Sequence, residues 1–253
     1  MKRTFAAAVG LIALGTSAAL AADLPVKAPV YTPPAFSWTG CYIGGNIGTA
    51  WTDSNWSDSL FGLAWGGFTG NARFIGGGQV GCNYQFNNPG FVIGLEGDFD
   101  WVERQVNGNN TVVGPRSHTF FLSSNDTGVA TLAARFGFAY EHALFYGKAG
   151  AGWVSNDGFA VTDVTTSQSF VASSSNSAGG WLVGAGIEYA VTNYWTVKLE
   201  YDYLGFPNRS LVVPATVIPA LAGDTITGGH NVQMVKVGFN YLFSWAGPVV
   251  AKY

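Results

Sequence analysis

Residues 195–203 read Trp-Thr-Val-Lys-Leu-Glu-Tyr-Asp-Tyr. Trp195, Val197, Leu199, Tyr201 and Tyr203 alternate with Thr196, Lys198, Glu200 and Asp202. A period of two places the first set on one face of a β-strand and the second on the other. Wound as a helix, the same residues would scatter both classes around the circumference. One face is therefore apolar and aromatic, and the other carries three charges. Two environments fit such a ribbon. One is a half-buried sheet of a soluble protein. The other is the wall of a membrane barrel, with lipid outside and a polar lumen.

The same alternation recurs along the chain. It predicts eight strands: Trp38–Trp51, Arg73–Phe86, Phe91–Trp101, Val129–Tyr140, Leu144–Val154, Gly180–Ala190, Trp195–Tyr203 and Val232–Phe243. Each is near the ~9–11 residues that a tilted strand needs to cross a bilayer. Asn87-Asn88-Pro89-Gly90, Glu141-His142 and Thr192-Asn193 read as tight turns. The links Thr52–Ala72, Val102–Gly128, Ser155–Gly179 and Leu204–Asn231 are far longer than the usual 4–6 residues. They read as long loops rich in Ser, Thr, Asn and Gly. Short turns at one end and long loops at the other is the arrangement of an outer-membrane barrel, with the turns in the periplasm.

Aromatic residues on the apolar parity give an independent indication. Tyr84, Phe86, Phe91, Phe138, Tyr140, Phe145, Tyr189, Trp195, Tyr241 and Phe243 fall near the short-turn ends. Trp51, Phe74, Phe99, Trp101, Trp153, Trp181, Tyr201 and Tyr203 fall near the long-loop ends. Two such belts match the two lipid interfaces, and a soluble barrel has no reason to grade its surface in this way.

Composition agrees. Of 253 residues, 11% are charged and 15% aromatic, against about 25% charged in ordinary soluble domains. Mean hydropathy is +0.20, yet no run of about 20 apolar residues marks a transmembrane helix. The N-terminus has the form of a secretory signal: Lys2 and Arg3, the apolar core Phe5–Leu14, then Ala19-Leu20-Ala21 as a cleavage site. The expected organisation is a signal peptide over residues 1–21, an extended Pro-rich periplasmic leader over 22–36, a barrel over 37–243 and a C-terminal extension over 244–253. Cleavage removes two cations and leaves an acidic chain, which argues against nucleic-acid binding.

An eight-stranded wall leaves an interior just wide enough for side chains. The inward charges are Glu96, Asp98, Asp100, Arg135, Lys148, Glu188, Lys198, Glu200, Asp202 and Lys236. A register slip of one residue would drive them into lipid, at about 2–4 kcal/mol for each Lys or Arg near mid-membrane. Strand order predicts Asp98 and Asp100 near Arg135 and Lys148, and Glu200 near Lys198 and Lys236. The expectation is a salt-bridged interior, because an unpartnered buried charge is costly. A narrow gated ion path is the alternative. Inward Gly44, Gly48, Gly150, Gly152, Gly184 and Gly186 suit a curved wall filled by longer neighbours.

Other chemistry is thinly supported. Gly76–Gly81 formally matches G-x-G-x-x-G, but the glycines lie inside a strand with no helix after them. His118 and His230 fall in long loops and His142 in a tight turn at the other end, so they form no metal constellation. His118 beside Ser117 reads as a solvated loop pair, without the orienting group a hydrolase requires. No catalytic residue, metal or cofactor is expected. Cys41 and Cys82 point outward at similar heights on neighbouring antiparallel strands. They either form a cross-strand disulfide in an oxidising compartment or remain two small lipid-facing thiols.

The segments ADLPVKAP, FSWTGCYIGGNIG at Phe36–Gly48, FVIGLEGDFDW and VKVGFNYLFSWAGPVVAKY resemble the small outer-membrane proteins of rhizobia and their relatives, the RopB-like and opacity-like β-barrel family. The resemblance covers essentially the whole chain, although Cys41 stands where an aromatic is expected. It implies an all-β, eight-stranded antiparallel transmembrane barrel related to the OmpA membrane domain, located in the outer membrane of a Gram-negative cell. It also implies assembly by the Bam machinery with periplasmic chaperones, among lipid and lipopolysaccharide. Tyr241 and Phe243 look like the assembly signal, with Tyr253 as the alternative because Ser244–Tyr253 follow. The family supplies no catalytic residues.

The expected role is a non-enzymatic structural barrel that maintains the envelope and presents its loops. The alternatives are a small-solute porin and a surface receptor or adhesin using Trp56, Phe61, Trp65 and Phe68. Folding back over the barrel mouth is the preferred reading of those four aromatics.

Overall fold

The computed structural model describes residues 36–58, 64–69, 71–87, 89–103, 111–113, 119–172, 178–212 and 225–243. The proposed signal peptide, most of the leader, Phe61, Ser117, His118 and the extension 244–253 lie outside the described residues. Twelve strands are described: β1 Gly40–Asp58, β2 Ala64–Thr69, β3 Arg73–Gln85, β4 Gly90–Val102, β5 Thr111–Val113, β6 Thr119–Tyr140, β7 Ala143–Asp163, β8 Gln168–Ala172, β9 Ala178–Ala190, β10 Trp195–Gly205, β11 Arg209–Val212 and β12 Thr225–Phe243.

β1, β3, β4, β6, β7, β9, β10 and β12 form an antiparallel ring. The ring closes where β12 returns to β1, from Cys41 opposite Phe243 to Asp58 opposite Ile226. Stepping across paired residues from Tyr42 passes Gly81, Glu96, Ala133, Gly150, Leu182, Leu204 and Val232. It re-enters β1 at Thr52. That stagger tilts the strands, as closed barrels require, by about 35–45°.

The burial pattern is the inverse of a water-soluble protein. On β10, Leu199 is 55% exposed and Lys198 is 1% exposed. Leu95, Leu132, Phe136, Ile187, Val237 and Phe239 also face outward, while the charges face in. Lipid wets the apolar face, so alternation is enforced from both sides. Outward rings stack near the short turns, where Trp195 lies 4.7 Å from Phe239 and 4.9 Å from Tyr241. At the opposite end Phe99 meets Trp101 at 4.9 Å and Trp181 meets Tyr203 at 5.4 Å. The short turns use left-handed backbone at Asn87 and Glu141 (φ 124° and 51°).

Two expectations are corrected. The long links are not simply loops. β1 and β12 continue past the membrane, flanked by β2 and β11, and β6 and β7 continue, flanked by β5 and β8. Two four-stranded ribbons thus rise from opposite sides of the cylinder. Above the lipid no solvent boundary imposes apolar–polar alternation, so these strands carry no periodic signal. Trp56 lies on β1 and Trp65 and Phe68 on β2, within a paired hairpin. The second correction concerns Phe36, expected at the end of the leader. It is buried inside the barrel, 5.0 Å from Trp38 and stacked 5.6 Å from His142.

Candidate functional site: the filled lumen

Strand parity turns three kinds of side chain inward, and they sort by height. At the turn end Phe36, Trp38, Tyr42, Val92, Ala139, Leu144, Tyr146, Ala190 and Leu242 form one buried apolar cluster. At the ribbon end Ala50, Ile75, Val102, Val129, Val154, Leu182, Leu204, Phe206, Val232 and Met234 belong to a second. Between them lies an ionic layer containing all ten charged residues expected there, each at most 5% exposed.

Arg135 organises the lower part of the layer. Its Nη2 donates to Glu188 Oε2 at 2.7 Å and its Nη1 lies 3.4 Å from Glu96 Oε2. The guanidinium lies over the Tyr146 ring at 3.9 Å and near the Tyr42 ring at 5.5 Å. A planar cation between two ring faces adds cation–π attraction to its ion pairs. Glu188 Oε1 accepts from Asn240 Nδ2 at 2.8 Å and from the Thr196 hydroxyl. Gln79 donates to Asn240 Oδ1 and accepts from Asn46 Nδ2. A neutral chain therefore links β1 and β3 to the ion pairs through β12.

Three lysines hold the upper part. Lys198 Nζ is 2.9 Å from Glu96 and 3.3 Å from Glu200. Lys148 Nζ is 2.8 Å from Glu200, 3.1 Å from Asp202, 3.4 Å from Glu96 and 3.6 Å from Asp98. Lys236 Nζ reaches Asp98 and Asp202 at 2.9 Å, Asp100 at 3.3 Å and Glu200 at 3.4 Å. Each ammonium serves several carboxylates, which suits the compact, rotatable donor that lysine carries.

One expected juxtaposition is corrected. Arg135 does not meet Asp98 or Asp100. It lies across from Gly94, whereas Asp98 lies across from Thr131. Four residues along a strand are roughly 13 Å, so Arg135 takes Glu96 and Glu188 instead. Asp98 receives the Thr131 hydroxyl and Lys236.

Two tyrosines, which carry no charge and so give no charge signal in the sequence, also belong to this layer. Tyr42 Oη donates to Glu96 Oε2 at 2.7 Å, and Tyr146 Oη donates to Glu200 Oε2 at 2.7 Å. In both cases 54 residues separate tyrosine and glutamate. Each tyrosine crosses a glycine on the intervening strand, Gly81 or Gly186, where an added Cβ would lie 2.4 or 2.5 Å from the hydroxyl. The signal was present in the sequence. Leu95-Glu96-Gly97-Asp98-Phe99 and Leu199-Glu200-Tyr201-Asp202-Tyr203 are one pattern written twice, each following an inward tyrosine at equal spacing. The tyrosine–glycine–glutamate arrangement thus occurs once in β1 to β4 and once in β7 to β10.

On the outer surface Cys41 and Cys82 are directly paired across β1 and β3 and joined by a disulfide. His230 stacks on Phe206 at 4.7 Å, far along β12 from the turn that holds His142. Among the described residues no group of three or more His, Cys, Asp or Glu is placed to hold a metal ion.

Comparison with known proteins places this geometry. The model of the outer membrane protein beta-barrel domain family matches residues 6–243. The 31 kDa outer-membrane immunogenic protein of Brucella melitensis biotype 1 is 30% identical over 92% of this chain and 97% of its own. The 22 kDa outer membrane protein of Rhizobium leguminosarum bv. viciae is 29% identical over 88% and 83%. Among solved structures, OprG of Pseudomonas aeruginosa aligns with a TM-score of 0.44 at 15% identity, covering 82% of this chain and 98% of that one.

Proposed function

From the premise that this chain belongs to the outer membrane protein β-barrel domain family, we propose that it is a non-conducting, non-enzymatic structural barrel. It spans the outer membrane, contributes to envelope integrity and holds two β-ribbons outside the cell. The observation that carries this reading is the filling of the lumen. Apolar clusters lie above and below an ionic layer whose members are nearly all paired. A hydrated ion crossing it would have to displace Trp38 and Leu204, and break pairs such as Lys148–Glu200, within a wall too narrow for a bypass.

The test is planar-bilayer recording of the purified, refolded protein. Steady unit conductances would overturn the structural reading in favour of a small-solute porin. A quiet membrane containing demonstrably folded protein is the expected result. The chain's partners on this reading are outer-membrane lipid and lipopolysaccharide, with the Bam machinery and periplasmic chaperones acting during assembly through Tyr241 and Phe243.

A second reading, receptor or adhesin, draws support from the ribbons. Strands that continue beyond the bilayer form a paired, shape-holding surface for contact with other molecules. The Brucella relative is named as immunogenic, and ribbons exposed in this way would be accessible to antibodies. Deleting 54–67 removes the β1–β2 hairpin. Unchanged binding of whole cells to surfaces or sera would exclude that hairpin as the contact site.

A further inference from the structure

We propose that the folded lumen holds two protons as structural ligands, one on Asp100 and one on Asp202. Between the two apolar clusters lie six carboxyl groups, Glu96, Asp98, Asp100, Glu188, Glu200 and Asp202. They face four cations, Arg135, Lys148, Lys198 and Lys236. The layer is short of two positive charges, in a position where uncompensated charge is expensive.

The oxygen atoms show where the shortage falls. Glu96 has both carboxyl oxygens addressed, by Tyr42, Lys198, Arg135 and Lys148. So does Asp98, by Lys236 and Thr131. Glu188 is addressed by Arg135, Thr196 and Asn240, and Glu200 by Tyr146, Lys148, Lys198 and Lys236. Asp100 and Asp202 differ. Asp100 Oδ2 accepts from Lys236 and Asp202 Oδ2 has only ion-pair contacts with Lys236 and Lys148, without a hydrogen bond, while Oδ1 of each is buried without a hydrogen-bond partner. Two excess charges thus match two carboxyl groups with an orphaned oxygen.

Both orphans have the same setting. Asp100 lies across from Gly77 and Asp202 across from Gly184. Each Oδ1 lies where the glycine's Cβ would be, at 2.3 and 2.2 Å. The groups facing Asp100 are Asn46 on β1, Gly77 on β3, Asp98 on its own strand and Lys236 on β12. Asn46 is 5% exposed, shares the row through Gly77, and has an Oδ1 that also lacks a donor. The Asn46 side chain is within hydrogen-bonding reach of the Asp100 carboxyl. With its Nδ2 given to Gln79 Oε1 it presents Oδ1, so a proton on Asp100 supplies the donor that these two oxygens lack. The groups facing Asp202 are Asp98 on β4, Lys148 on β7, Gly184 on β9, Glu200 on its own strand and Lys236 on β12. No net reaction occurs beyond uptake of two protons from solvent as the barrel folds.

Infrared spectroscopy of the folded wild-type protein in lipid at neutral pH reads this directly. The carbonyl stretch of protonated carboxyl groups should be present, and D100N and D202N should each remove about half of it. Its absence from the wild type overturns the proposal without any variant having to fold. Denaturant unfolding gives a second readout. A folded state that holds more protons loses stability as pH rises above the unfolded aspartate value of about 4, until the folded state releases them. In that window the wild-type folding constant should fall by about tenfold per pH unit for each proton, relative to D100N/D202N. Parallel pH profiles of wild type and double variant would overturn the proposal. So would a stability that tracks sodium or potassium concentration at fixed pH and ionic strength, which would assign the sites to metal cations.

Discussion

At the scale of single residues, the lumen separates groups that must be present together from groups that only need room. Arg135 touches Glu96, Glu188 and both tyrosine rings from a fully enclosed position. Arg135→Met leaves Glu188 without its cation, while Glu96 keeps Lys198 and Lys148, and is expected to cost about 3–5 kcal/mol in urea unfolding from lipid vesicles. Glycines provide a sharper contrast. At Gly81 an added Cβ meets the Tyr42 hydroxyl at 2.4 Å and the Leu95 carbonyl at 2.7 Å. Gly81→Ala should therefore destabilise by about 1–3 kcal/mol, the usual penalty for overpacking. Gly147 faces outward, and a Cβ there would meet only the Gly184 carbonyl at 3.7 Å. Gly147→Ala should be neutral or stabilising by up to about 1 kcal/mol, because a strand glycine carries an entropic cost. Equal losses in the two variants would remove the distinction between inner and outer glycines.

At the scale of elements, the disulfide fastens β1 to β3 next to the seam where β1 also receives β12. Replacing Cys41 and Cys82 with serine should cost about 2–4 kcal/mol, seen as a lower urea midpoint that no longer responds to reductant. The elements also show what the sequence could reveal. The membrane-spanning part of β10 was legible because lipid and lumen both act on it, so every residue from Trp195 to Tyr203 is sorted by one rule. The upper part of β6, from Thr119 to Asp126, reads Thr-Phe-Phe-Leu-Ser-Ser-Asn-Asp with no alternation of apolar and polar residues, so its pairing with β7 was hidden. Inside the lumen, parity identified the inward charges but could not rank their heights. The position of Arg135 depends on the stagger between β4 and β6, which only the ladder of Gly94 opposite Arg135 fixes. Trp38 continues the inward parity of Tyr42 and was legible as a lumen residue, whereas Phe36, on the same parity, lies in a stretch whose prolines mark it as leader, so its use as the floor of the lumen was hidden.

At the scale of the whole molecule, the decisive property is that the solvent outside is hydrocarbon. Leu199→Lys places a cation on the exposed apolar wall. In a water-soluble protein that change would be nearly silent. Here it should cost about 2–4 kcal/mol, and a negligible loss in lipid-reconstituted protein would contradict the membrane-facing assignment. The folded cylinder should also resist detergent until boiled, so heated and unheated samples of envelope fractions should migrate differently on a gel. The ladder from Cys41 opposite Phe243 to Asp58 opposite Ile226 is as continuous as those between strands adjacent in sequence. A ring joined that evenly has no privileged starting point. A circular permutant opened at Glu141-His142, with a flexible linker joining the original ends across the periplasmic mouth, would make the second four-stranded half first. It should close into the same cylinder.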